Sequence, residues 1–187
     1  VKVSLQDMRK MDIFEEIEQP KIVYHMTTRK NIEAILREGK IRAVGPDGRT
    51  SDYVTWFFPA LEEIPVYIEL TGADTGRKYH DFDGRIHTAP PLIHSETVVL
   101  KLIPRGNQAM EWYKEHPLKN GRNLSTMTSE EVSILQKYMT EARVCHYGAM
   151  RFERNPEIIE LTEVDKLPAS DKLNEIRRIK ESHTGGG

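Results

Sequence analysis

Ile22-Val23-Tyr24-His25-Met26-Thr27-Thr28, continued by Asn31-Ile32-Glu33-Ala34-Ile35-Leu36-Arg37-Glu38-Gly39-Lys40-Ile41, is the stretch that decides the fold. The apolar run from Ile22 into Tyr24-His25 reads as a short buried strand. Thr28 is placed to cap a helix, and Ile32, Ile35 and Leu36 fall on one face at spacings of three and four. Gly39 then supplies the left-handed residue that ends it. Residues 22–41 are thus expected to form a strand, a tight polar turn and a short helix. His25 and Thr27 stand two apart on the extended segment, so their side chains point to the same side.

Working outward, a loop rich in Gly, Pro and Asp (45–52) leads to a strand from Tyr53 to Phe58. Pro59, Pro65 and Glu62-Glu63 separate that strand from another over Val66–Leu70. Residues 71–95 are mostly polar and read as one long irregular loop, a feature more often functional than accidental. Thr97 to Ile103 reads as a strand, and 106–125 as irregular or partly helical. Thr128-x-x-Glu131 is a capping box, with Val132, Leu135, Tyr138 and Met139 following at helical spacing. Residues 141–152 and 157–164 read as strands and 170–183 as a charged tail helix. Upstream, Met8, Met11, Ile13, Phe14 and Ile17 give 6–18 a helix-like period that Pro20 stops. The Gly185-Gly186-Gly187 end reads as a flexible tail. The sum is a single α+β domain over 1–187, with five to seven short strands. Its spacing is too irregular for a doubly wound nucleotide fold, and neither G-x-G-x-x-G nor G-x-x-x-x-G-K-[ST] occurs.

At 187 residues, 38% hydrophobic and 30% charged, the chain can bury a core without disulfides or metal. Its 27 basic and 29 acidic side chains argue against holding nucleic acid by bulk charge, while leaving room for a local basic groove. The single cysteine, Cys145, fits a reducing, cytoplasmic compartment and reads as a small buried hydrophobe. No run approaches the roughly 18 apolar residues a membrane span requires, and the N-terminus lacks the pattern of a signal peptide.

The quoted stretch resembles the opening motif of ADP-ribosyltransferases, closest to the DarT-like branch: Tyr-His-x-Thr, then Asn-Leu-x-x-Ile-Leu, then Gly-Leu. The resemblance covers about twenty residues, and RNA 2′-phosphotransferases open with a similar strand, His and helix. It implies a split, mostly antiparallel sheet with short helices around an NAD⁺ cleft. Tyr24, His25 and Thr27 are then implied to contact the nucleotide. From the residues alone, the alternative is a histidine satisfied by a backbone carbonyl, with Thr27 merely a cap.

The same resemblance gives three further elements their roles. Tyr53-Val54-Thr55-Trp56-Phe57-Phe58 sits where such transferases place the strand that stacks on nicotinamide, work suited to aromatic rings facing a pyridinium. Tyr53 and Phe57 are its candidates; alternation puts Tyr53, Thr55 and Phe57 on one face and Val54, Trp56 and Phe58 on the other. A late glutamate opening a strand is also implied, and Thr140-Glu141-Ala142-Arg143-Val144 has that form. Cleaving the ribosyl–nicotinamide bond builds an oxocarbenium-like cation that a fixed carboxylate stabilises, which makes Glu141 the catalytic candidate and Glu153 the reserve. Its alternative is an exposed charge at a helix end. The family also uses an arginine in the region after the first helix. Arg49, in the polar loop and placed to fold over the cofactor or its phosphates, is thereby a second catalytic candidate, with Arg42 read as a surface charge.

The loop ligands His80, Asp81, Asp83, His87 and His94 have no fixed zinc spacing, so no metal is expected. Arg77, Lys78, Tyr79, Phe82 and Arg85 interleave charge and rings in the same loop, as a contact to single-stranded DNA or to a protein surface would. By resemblance the acceptor is a nucleic-acid base, unstacked or already single-stranded. A toxin role with an antitoxin partner belongs to the same expectation. The alternative is a non-enzymatic binding module on the same fold.

Overall fold

The computed structural model describes residues 4–43, 54–80, 86–106, 111–116 and 126–184. It opens on a short helix, α1 (Leu5–Arg9), and a strand, β1 (Phe14–Glu16). The helical spacing over 6–18 therefore holds only for its first turns. Phe14 is paired opposite Glu115 and packs edge-on against Tyr113, so a distant strand overrides the local period.

The deciding segment forms β2 (Val23–Thr28), one 3-10 turn (Arg29–Asn31) and α2 (Ile32–Glu38). Gly39 ends the helix at φ 69°, its N–H donating to the Ile35 carbonyl at 2.9 Å. The cap expected at Thr28 is not made: its side chain bonds no backbone amide of the helix, and among the described residues its buried hydroxyl has no partner. β3 (Lys40–Ile41) and β4 (Val54–Phe57) follow.

The strand expected over 66–70 is instead helix α3 (Glu63–Thr71). Pro65 sits in its first turn, where a missing N–H removes no intrahelical bond. The loop expected over 71–95 contains a hairpin, β5 (Arg77–His80) with β6 (Ile86–Ala89), between 3-10 turns at Ala73–Thr75 and His94–Glu96. β7 (Thr97–Leu102) comes next. In the stretch expected to be irregular or partly helical lies β8 (Trp112–Glu115), with Trp112 and Tyr113 buried.

α4 (Ser129–Ala142) carries the expected capping box: Thr128 Oγ1 accepts from the Glu131 amide at 3.1 Å and Glu131 Oε1 from the Thr128 amide at 3.0 Å. The strand expected over 141–152 is divided at Gly148 (φ 76°) into β9 (Val144–Tyr147) and β10 (Met150–Arg151). The one expected over 157–164 is β11 (Glu157–Glu160) followed directly by a helical turn, α5 (Leu161–Val164). α6 (Asp171–Thr184) is the tail helix.

Every pairing is antiparallel, and helices lie among the sheets, so the fold class is α+β as expected. One sheet runs β1-β8-β9-β4 and another β11-β7-β2, with β10-β3 and β5-β6 as two-stranded pairs. The two larger sheets touch at one bridge, where Tyr24 and Phe58 exchange backbone hydrogen bonds of 2.9 and 2.8 Å. One core holds Val23, Leu100, Phe57, Trp112 and Val144, with Ile32 and Ile35 of α2 packed against it. A second joins Val99, Phe58 and Tyr67 to the helices α3 to α6, with Tyr24 and Met26 packed on it. A third gathers Val54, Tyr113 and Cys145 with Met8 of α1. Among the described residues, no helix is long and apolar enough to cross a membrane.

Candidate functional site

The seam between the two larger sheets is the place where the backbone ladder stops and a side chain takes over. Past the Tyr24–Phe58 bridge, a continued antiparallel ladder would next bring the Met26 amide to the Trp56 carbonyl. His25 takes that carbonyl instead, Nδ1 lying 3.0 Å from it. The contact fixes the tautomer: Nδ1–H donates and Nε2 is left as an acceptor. The half-buried ring leans on Phe57 at a centroid distance of 5.5 Å and a tilt of 54°. Burial pushes the imidazole below its ordinary value, the Trp56 carbonyl opposing in part, so the ring is neutral near pH 7.

Thr27 falls on the same side of β2 as His25, as the period of two requires. Its hydroxyl accepts from Asn31 Nδ2 at 3.2 Å, which joins the strand end to the first turn of the helix. Tyr24 is turned to the opposite face. Its ring packs into the core built by α3 and α6, with Phe58, Tyr67 and Val99. The structure thus brings His25 and Thr27 together and takes Tyr24 away from them.

β4 alternates as expected, and its two faces differ. Phe57 has no exposed surface and meets Trp112 at 5.5 Å, so it is a core ring that also backs His25. Trp56, on the other face, is half-buried beneath Arg143, whose guanidinium carbon lies 3.6 Å from the ring centroid. Arg143 also donates to Glu115 Oε2 at 3.0 Å, so the stacked cation is paired. Tyr53 and Arg49 lie outside the described residues, as do Asp81, Asp83 and the side chains of His80 and His87.

Glu141 does not open a strand. It occupies the last turn of α4, and its Oε2 accepts from Lys172 Nζ at 2.9 Å; the same ammonium reaches Glu63 Oε1 at 2.9 Å. That bond to Lys172 holds the Glu141 carboxyl below the usual range. The triad ties α4, α6 and α3 together on the helical side of the sheet, the side that Tyr24 faces and His25 does not. Arg42 is an exposed partner of Glu38 one turn earlier, and Glu153 is exposed, its amide donating to the Ile103 carbonyl.

Two features escaped the sequence. His94 stands between two carboxylates, Nδ1 2.6 Å from Asp165 Oδ2 and Nε2 2.6 Å from Asp74 Oδ1. Only an imidazolium can donate at both ends, and the bond to Asp74, joined by that to Asp165, raises its affinity for the proton. The other is a buried histidine, His146, whose ring lies 4.9 Å from Trp112 and whose Nε2 is 2.9 Å from Glu111 Oε2. Glu111 and His146 are thirty-five positions apart, and no spacing rule links them.

No family model matches the chain, and no curated protein matches it. Among solved structures it is similar to Thermus sp. 2.9 DarT in complex with carba-NAD⁺, at 15% identity and a TM-score of 0.38 over 89% of this chain and 92% of that one. It is likewise similar to the same protein in complex with NAD⁺, at 16% identity and a TM-score of 0.39 over 89% and 91%.

Proposed function

We propose that the seam beside His25 holds NAD⁺ and that the chain transfers its ADP-ribose unit to a macromolecular acceptor. One observation carries this reading: His25 and Thr27, drawn from a Tyr-His-x-Thr motif, stand side by side where the two sheets part. A neutral imidazole whose Nε2 is an acceptor, with a hydroxyl beside it, suits the hydroxyl groups of a ribose. In this reading His25 and Thr27 take the nucleoside and Glu141 supplies the carboxylate. The acceptor is a nucleic-acid base, in a toxin-type role with an antitoxin partner.

A second reading has its own observation. The Glu141 carboxylate is engaged by Lys172 among the helices, which favours a non-enzymatic module that binds a nucleotide or a partner protein through the same seam. Two measurements separate the readings. Millimolar NAD⁺ is expected to raise the melting temperature, because it stabilises only the folded state, and His25→Ala is expected to weaken that rise. Nicotinamide release with oligonucleotide present is expected from wild type, falling at least a hundredfold in Glu141→Gln. No thermal shift in either protein rejects the nucleotide reading; a shift without release selects the binding module.

A further inference from the structure

The turn that follows β2 carries two residues suited to cap a helix, and neither caps one. Thr28 bonds no helix amide, and Asn31, the residue preceding α2, makes no capping hydrogen bond either. Backbone geometry explains Asn31. It sits at φ −87° and ψ −11°, already helical because it closes the 3-10 turn Arg29–Asn31, whereas a capping side chain needs an extended residue. Its amide turns back instead, Nδ2 donating to Thr27 Oγ1 at 3.2 Å. The turn between them is pinned from outside: Arg29 donates to Glu160 Oε2 at 2.6 Å and to the Ser95 carbonyl at 3.4 Å. Asn31 is thus held against the end of the strand with its amide engaged on one hydroxyl.

That contact fixes the polarity of Thr27. An amide nitrogen only donates, so Oγ1 accepts from it and the hydroxyl proton is directed elsewhere. Among the described residues no acceptor takes that proton. Two residues earlier on the same side of β2, His25 has the opposite setting: Nδ1–H is given to the Trp56 carbonyl at 3.0 Å, which leaves Nε2 an acceptor. The strand end therefore presents an acceptor and a donor side by side, each set by a different neighbour. Residues two apart on a strand are separated by about 7 Å. Two hydrogen bonds of about 2.8 Å, with a pair of adjacent oxygens between them, span that gap. A vicinal diol, with one hydroxyl donating and the next accepting, meets both groups. A phosphate or a carboxylate does not: it offers acceptors only, and the lone pair of a neutral imidazole repels them.

We propose that Asn31 is the positioning residue of the His25 face: it holds Thr27 as a hydrogen-bond donor, and the donor–acceptor pair so formed reads the two neighbouring hydroxyls of one ribose. The proposal rests on the NAD⁺ reading. Asn31 has no need to touch the ligand; it acts through Thr27, and reversing its hydrogen bond is enough to undo the pair. Aspartate in its place keeps the shape but puts a carboxylate, which only accepts, where the amide donated. The Thr27 proton then points at that carboxylate, and both groups facing the ribose become acceptors.

The test has two arms. In the ligand-free protein, proton–nitrogen spectra are expected to show one Asn31 side-chain amide proton shifted downfield, and Thr27→Val to return it to the position of an unbonded amide. Absence of that shift, the result if the hydroxyl donates to the amide oxygen, overturns the proposal without reference to any ligand. In the second arm, NAD⁺ is titrated by calorimetry into wild type, Asn31→Ala and Asn31→Asp, at low and at high salt. Asn31→Asp is expected to weaken binding by about tenfold or more at both salts. Asn31→Ala is expected to weaken it less, because a hydroxyl without the amide can still rotate to donate. A loss that fades in high salt is bare repulsion of the NAD⁺ phosphates, and equal losses in the two variants make Asn31 a spacer of the turn. Either result, or unchanged affinity in Asn31→Asp, overturns the proposal with the NAD⁺ reading intact. Wild type that fails to bind NAD⁺ is the failure of that reading, and the spectral arm then still decides whether Asn31 sets the Thr27 hydroxyl.

Discussion

Replacing Lys172 with Met tests whether the helical layer is held by charge or by its apolar faces. Lys172 Nζ stands 2.9 Å from both Glu63 Oε1 and Glu141 Oε2, and the three side chains are 22%, 17% and 37% exposed. Among the described residues Glu63 Oε2 is buried with no hydrogen-bond partner, and the ammonium on Oε1 compensates that carboxylate. Removing one partner of a fully buried pair costs about 3–5 kcal/mol, and of an exposed pair about 0–1. Partial exposure puts this site between them, at about 2 kcal/mol, with the Glu141 share discounted for solvent. For a chain of this length that is roughly 4–8 °C in Tm. The sign with pH follows from Glu141, whose carboxyl is held low by Lys172. Such a group contributes above its unfolded pKa and loses the contribution as pH falls through its folded value. The gap between wild type and Lys172→Met should be full at pH 7 and should close at acid pH. Calorimetry at pH 7 and pH 3.5 measures it. A Tm within 1 °C of wild type at pH 7 would falsify the electrostatic account. An undiminished gap at pH 3.5 would do so too, assigning the loss to the alkyl stem.

Three further outcomes are expected. The His94 clamp contributes fully below about pH 6.5 and is lost as pH rises through its raised folded pKa. Exchange of the Leu92 amide, bonded to the Ala73 carbonyl at 3.0 Å beside the clamp, should therefore quicken from pH 6 to pH 9 beyond the intrinsic rise, and His94→Asn should remove the excess. Thr128→Ala breaks half of the capping box and should cost about 1 kcal/mol, read as a lower urea midpoint with unchanged slope. Cys145 is buried and its thiol pushed up by burial, so an aromatic disulfide reagent should label it only at the rate of unfolding.

What the sequence disclosed was local. Gly39 and the Thr128–Glu131 box announce helix ends because their partners lie within four residues. His25 and Thr27 share a side because alternation along a strand needs no distant contact. α3 was hidden by its own burial: Ile64, Val66, Tyr67 and Ile68 are apolar on several faces, which blurs the helical period into that of a strand. β8 was hidden because Trp112 and Tyr113 are both buried, one in each of two cores, and show no alternation of polarity. The end of the Glu141 helix and its Lys172 partner, thirty-one residues later, depend on tertiary packing. So does the meeting of His146 with Glu111.

The strand order also dictates when the molecule can form during synthesis. β1 pairs with β8, β2 with β7, β3 with β10 and β4 with β9, so each strand in the first 57 residues takes a partner from residue 97 onward. Among the described residues, the hairpin of β5 and β6 is the one pairing closed within its own neighbourhood. A nascent chain halted before Thr97 would carry four orphan strands, their amides and carbonyls open to any passing edge. Such nonlocal closure makes for slow folding and a long exposed interval. Fragments ending near residue 96 should accordingly be sticky and unstructured, whereas ones reaching Leu102 can at least seat β2.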